Sequence, residues 1–229
     1  MVGRVAGATG PADRRTGAQW RGRGVPLDHR RRKLKAGPPH FDPDRVARYE
    51  AAGWQAYYDR RWGRLLRLIV QLCQEQFRIP FPRSWQAAYY VTRASVAWVP
   101  VDHDARVVQA YYEQFYRLAR RYSGLRFDPA QVAALELRYN DDHRRLSGQP
   151  DKTAFLATMV ELHSVVFHIS PAQARESAEL RVQANNTVDR ITSGRSSDVA
   201  GDWRQIRRDL RACYRSIARA TEENRAARR

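Results

Sequence analysis

The sequence predicts an all-α fold: an antiparallel bundle of about six or seven helices, preceded by a disordered basic N-terminal tail. Three observations carry this. FDPDR (41–45), FDPAQ (127–131) and ISPAQ (169–173) share one start signal, an apolar residue followed by Asp or Ser and then Pro. Asp and Ser accept hydrogen bonds from unpaired N–H groups at a helix start, and Pro fits the first helical position. No segment alternates apolar and polar residues with the period of a strand. Finally, the apolar-periodic segments are joined by short connections, which favour antiparallel neighbours.

Residues 1–40 mix Gly, Pro and Arg without period and predict a disordered tail. The tail lacks the apolar stretch of a secretory signal. Its HRRRKLK run, with Arg30, Arg31, Arg32, Lys33 and Lys35, is the candidate nucleic-acid or polyanion contact. Residues 41–221 predict a single bundle domain, and 222–229 a frayed basic end. Helix 1 is expected over 43–78, stopping before Pro80, and helix 2 over 83–98, stopping near Pro100. Helix 3 is expected over 103–122, capped by Asp102 or Asp104 and stopped by Ser123-Gly124. Helix 4 runs over 129–146, with Gln131 at the capping-box position and Phe127 and Val132 as its hydrophobic staple. Helix 5 follows over 151–168, helix 6 over 171–192 and helix 7 over 202–220. FDPDRVARYE (41–50) and FDPAQVAALE (127–136) match at six of ten positions, and the match includes Glu50 and Glu136. It predicts a duplicated helix start.

Composition narrows the class. The chain has 229 residues, 43% of them hydrophobic, and a net charge of +17. Of 41 basic residues 38 are arginine, and alanine is abundant, a bias that GC-rich codon usage produces on its own. The charge still attracts polyanions. No apolar run reaches the ~18 residues of a membrane span. The two cysteines, Cys73 and Cys213, give neither a disulfide framework nor a metal motif. They read as small apolar residues of a reduced, cytoplasmic protein.

Candidate chemistry sits in ELRYNDDH (136–143) and ELHSVVFH (161–168), each with Glu and His seven residues apart. Seven residues is nearly two turns, so each pair shares a face. Glu136 and His143 fall on the apolar stripe of helix 4 with Val132, Leu135 and Tyr139. Glu161 and His168 lie on a small, polar stripe of helix 5 with Ala154, Ala157, Thr158 and Ser164; His163 points the other way. SGQP (147–150) is the only link between the two helices. Both glutamates then lie ~15 Å from the turn and are expected to meet at one level. Two desolvated carboxylates at one level need compensation: a metal, a cation or a shared proton. Arg181, on the apolar stripe of helix 6 with Asn185, is the candidate cation. Glu50 is a candidate third carboxylate, with Tyr57 supplying a hydroxyl.

Two function classes follow. In the first, Glu136, His143, Glu161, His168 and Glu50 hold iron or manganese for oxidoreductase chemistry, as bundle proteins gather such ligands from facing helices. The Glu-x6-His spacing is similar to a pair used by haem-oxygenase-like di-iron enzymes, a resemblance of two residues per helix; the usual Glu-x-x-His signature is absent. In the second, the protein is an Arg-rich nucleic-acid-binding or helical interaction module, and the Glu/His/Arg network is structural. Aromatic residues among arginines, as in YYDRRW (57–62), suit base stacking. Self-association is a further partner class. The sequence contains no GxSxG, P-loop or HExxH motif, and no GxGxxG after a strand.

Overall fold

The computed structural model describes residues 41–227, which form helices joined by short connections, with no strand among them. Eight helices follow in order: α1 (Pro43–Tyr58), α2 (Trp62–Phe77), α3 (Arg83–Trp98), α4 (Ala105–Ser123), α5 (Pro129–Leu146), α6 (Thr153–Phe167), α7 (Pro171–Thr192) and α8 (Val199–Ala226). The expected tail, with Arg30, Arg31, Arg32, Lys33 and Lys35, lies outside the described residues. Each helix packs on the next, and α8 closes back onto α1.

The three start signals form as read. Asp42 accepts from the N–H groups of Asp44 and Arg45, and Asp128 from that of Ala130. Ser170 and Gln173 close a reciprocal capping box. α3, α5 and α7 span the expected ranges.

Two elements differ. The helix expected over 43–78 is two helices. Arg60 adopts a left-handed φ of 56°, and the Arg61 N–H reaches back to the Ala56 carbonyl, which closes α1 as a six-residue C-terminal turn. No glycine or proline marks this stop, so the sequence pattern runs through it. At the other end α8 continues to Ala226, through most of the stretch expected to fray.

The core is built around α6 and α8. Phe155 and Met159 of α6 and Ile206, Leu210, Cys213 and Ile217 of α8 are almost wholly buried. Cys73 and Cys213 are free thiols, and burial pushes both up to about 12. They are packing residues. The corner between α3 and α4 is pinned to α5. Trp98 donates to Asp141 at 2.9 Å, and Arg144 lies 3.5 Å over the Trp98 ring while donating to the carbonyls of Trp98, Val99 and Pro100. No helix among the described residues is long and apolar enough to cross a membrane.

Candidate functional site

Five helices send polar side chains into one interior cluster. Glu50 comes from α1, Tyr116 from α4, Glu136 from α5, Arg181 from α7 and Tyr214 from α8. Arg181 pairs with Glu50 at 2.5 Å, and Tyr214 donates to the other Glu50 oxygen at 2.6 Å. Tyr116 donates to Glu136 at 2.7 Å. The Arg181 guanidinium also lies 5.0 Å over Trp54 and 5.9 Å over Tyr139. Tyr139 donates to Asn185 at 3.1 Å, and Asn185 returns a bond to the Arg181 carbonyl at 2.9 Å.

Glu50 and Arg181 keep only 10% and 14% of their side-chain surface, so their attraction escapes the screening that weakens surface pairs. Burial pushes the Glu136 carboxyl up, and the Glu50 charge adds to this; the Tyr116 bond and Arg181 only partly oppose it. Burial and the neighbouring carboxylates hold the Tyr116 and Tyr214 hydroxyls far above their usual range, so both remain donors. The cluster therefore sets one cation against two carboxyls, one of which takes up a proton more readily than a free carboxyl does.

The duplicated decamer explains the arrangement. Asp42 and Asp128 are both caps, Phe41 and Phe127 are both buried, and so are Val46 and Val132. Glu50 and Glu136 close the two matching segments, each met by a tyrosine hydroxyl from a neighbouring helix, with Arg181 acting on both.

The expected layer between α5 and α6 does not form. Glu161 is about half exposed and pairs with Arg138 of α5 on the outer surface. The small, polar stripe of α6 is split: Ala154, Ala157, Glu161 and His168 are exposed, whereas Thr158 is buried and donates to Asp142 of α5 at 2.7 Å. The buried side carries Phe155, Met159, Leu162 and His163. His168 ends α6 in the left-handed conformation, φ 54°, and its carbonyl accepts from Asn224. His143 does face inward, but toward α7. It stacks on Phe155 and binds Asp189 at 3.0 Å, away from Glu136. Burial alone would push Asp189 up, but the His143 bond and charge hold it below the usual carboxylate range. Tyr57 is 40% exposed and packs edge-on against Tyr58 and Trp62. Tyr57 stands in the last turn of α1, ahead of the break, and reaches the surface there.

Sequence reasoning thus assembles Glu50, Glu136, Arg181 and Asn185, and misassigns Glu161, His168 and Tyr57. It misses Tyr116 and Tyr214, which satisfy the carboxylates. The available signal was a tyrosine within an apolar stripe, a residue that needs a partner when buried. It also sets aside His163, which is buried, binds Ser177 at 2.8 Å and is pushed down by desolvation to about 3. Among the described residues no three His, Cys, Asp or Glu side chains gather as they would to hold a metal ion.

The second feature lies at the surface. Residues 60–101, covering α2 and α3, hold seven arginines and a single acid, Glu75. Residues 41–227 hold 22 acids, so a stretch of this length would carry about five. Glu75 is committed to Arg45 at 3.1 Å and to the Asp42 N–H at 3.2 Å. Exposed Arg64, Arg67 and Arg93 have no acidic partner among the described residues. The arginines of α7 and α8 contrast with this. Arg190 pairs with Asp202, Arg215 with Asp44 and Arg219 with Glu176. The same stretch exposes Trp62, Phe81, Trp85, Tyr89, Val96, Val99 and Val101.

No family model, no curated protein and no solved structure matches the chain.

Proposed function

We propose that this protein is a helical binding module that holds a polyanion, the phosphate backbone of a nucleic acid, on the face formed by α2 and α3. The interior cluster serves the fold. Its carboxylates are already engaged by Arg181, Tyr214 and Tyr116, which favours a structural role over ligand capture.

The observation that carries the reading is the excess of seven arginines over one acid, Glu75, in 60–101: the stretch is bordered by Asp102 and by Asp59, which pairs with Arg61 at 3.7 Å, but Arg64, Arg67 and Arg93 have no acidic partner among the described residues. Codon bias raises arginine along the whole chain, but it does not deplete acids in one hairpin. Cations that meet phosphates release the counter-ions held there, so affinity falls with salt in proportion to the number of phosphates neutralised.

The test is the salt dependence of affinity for a labelled oligonucleotide, using the full chain. Arg64→Ala/Arg67→Ala/Arg93→Ala is expected to flatten the log–log slope by about 2, near 0.7 for each single-strand phosphate that is no longer neutralised. An unchanged slope would assign binding to the other arginines and reject the α2–α3 face.

A further inference from the structure

We infer that the α2–α3 face takes single-stranded nucleic acid, by stacking bases on an aromatic row that begins at Phe81 and Trp85. This rests on the polyanion reading above and names the form of the ligand. Phe81, in the turn before α3, is 71% exposed, and Trp85 and Tyr89 of α3 are 45% and 50% exposed. Trp85, Tyr89 and Arg93 are four residues apart, so they stand on one stripe of the helix, ~6 Å apart along its axis. The Arg93 guanidinium lies 6.0 Å from the Tyr89 ring and 5.2 Å from the Tyr111 ring of α4, joining the two helices by a shared cation. Val107, one turn before Tyr111, is also exposed.

Exposed aromatic rings in such numbers cost solvation unless something covers them. The occupant must have flat apolar faces and negative charge, since Arg64, Arg67 and Arg93 lack acidic partners among the described residues. Unpaired bases on a phosphate backbone meet both requirements. The spacing of the row is near that of a strand opened to about twice the 3.4 Å duplex rise. A duplex meets only the charge requirement, because its base faces are already stacked. Stacking on aromatic side chains tolerates any base, so binding without strong sequence preference follows.

The experiment compares a 15-nucleotide single strand, a duplex of the same length and inorganic polyphosphate, each titrated into the full chain. The single strand is expected to bind most tightly. Trp85→Ala and Tyr89→Ala are each expected to weaken it about tenfold or more, Trp85→Phe to retain most of the affinity, and polyphosphate binding to stay unchanged in all three. Both side chains are exposed, so unchanged thermal melting of the variants separates a stacking defect from a folding defect. Equal affinity for all three ligands, with no effect of Trp85→Ala, overturns the stacking inference and leaves the polyanion reading standing. No binding to any ligand overturns both. Trp85-dependent self-association, or binding to vesicles of phosphatidylserine and phosphatidylcholine without binding to the strand, assigns the row to a second copy or a membrane surface and also overturns the inference.

Discussion

Arg181 is the residue on which the interior depends. It is the cation of the cluster, and removing it leaves Glu50 buried beside Glu136 with tyrosine hydrogen bonds but no compensating charge. Loss of one member of such a pair costs about 3–5 kcal/mol, whereas replacing both by neutral groups is far milder. Arg181→Met is therefore expected to lower the urea-unfolding free energy by that amount, and Arg181→Met/Glu50→Gln to recover much of it. Glu136 gives a pH signature. Its carboxyl is raised in the folded protein, so folding binds a proton that the unfolded chain releases above about pH 4.5. The stability contributed by this group is complete below that pH and is lost as pH rises through the folded value. Wild type measured against Glu136→Gln should accordingly lose ground as pH is raised from 4 toward neutrality, and a rising difference would contradict the assignment. Glu161 stands opposite to these residues. Its pair with Arg138 lies half in water, so Glu161→Ala should change stability by less than about 1 kcal/mol.

At the scale of the element, the helices are set by their caps, and this part of the fold was legible in the sequence. Asp-Pro and Ser-Pro starts act over a few residues of backbone, so α5 and α7 could be placed from local chemistry alone. Ser170→Ala should cost about 1 kcal/mol in thermal or chemical unfolding, because it removes the hydroxyl that accepts from the Gln173 N–H, while the bond from its own backbone N–H to the Gln173 side chain remains. The break between α1 and α2 was not legible. It rests on Arg60 accepting a left-handed conformation that sequence preference assigns to glycine. α6 shows the other limit of periodicity. It is apolar nearly all round, and either side could have faced the core. The bulky residues Phe155, Met159 and Leu162 fill more interior volume than Ala154 and Ala157, so they went inside and carried Glu161 and His168 outside. Glu136 was found from its spacing to His143 on an apolar stripe, and Glu50 from the stripe of its own helix. Their tyrosine partners were not, because Tyr116 and Tyr214 are brought to them by tertiary packing.

For the whole molecule, the ring of helices separates two kinds of arginine. Arg181, Arg190, Arg215 and Arg219 of α7 and α8 hold the bundle together through Glu50, Asp202, Asp44 and Glu176. Those of α2 and α3 share their helices with one acid, Glu75, and with exposed aromatic rings. This division lets a chain with a strong cationic bias keep one face for the proposed binding. It also predicts which variants affect binding and which affect folding, two properties that a single interior site would couple. The direct test is to measure single-strand affinity at one fixed salt concentration for three full-length proteins: wild type, Arg64→Ala/Arg67→Ala/Arg93→Ala and Glu136→Gln. The surface variant is expected to bind at least about tenfold more weakly while melting as wild type does, and Glu136→Gln to bind as wild type does. A folded Glu136→Gln variant that loses binding, beside a surface variant that keeps it, would contradict the division.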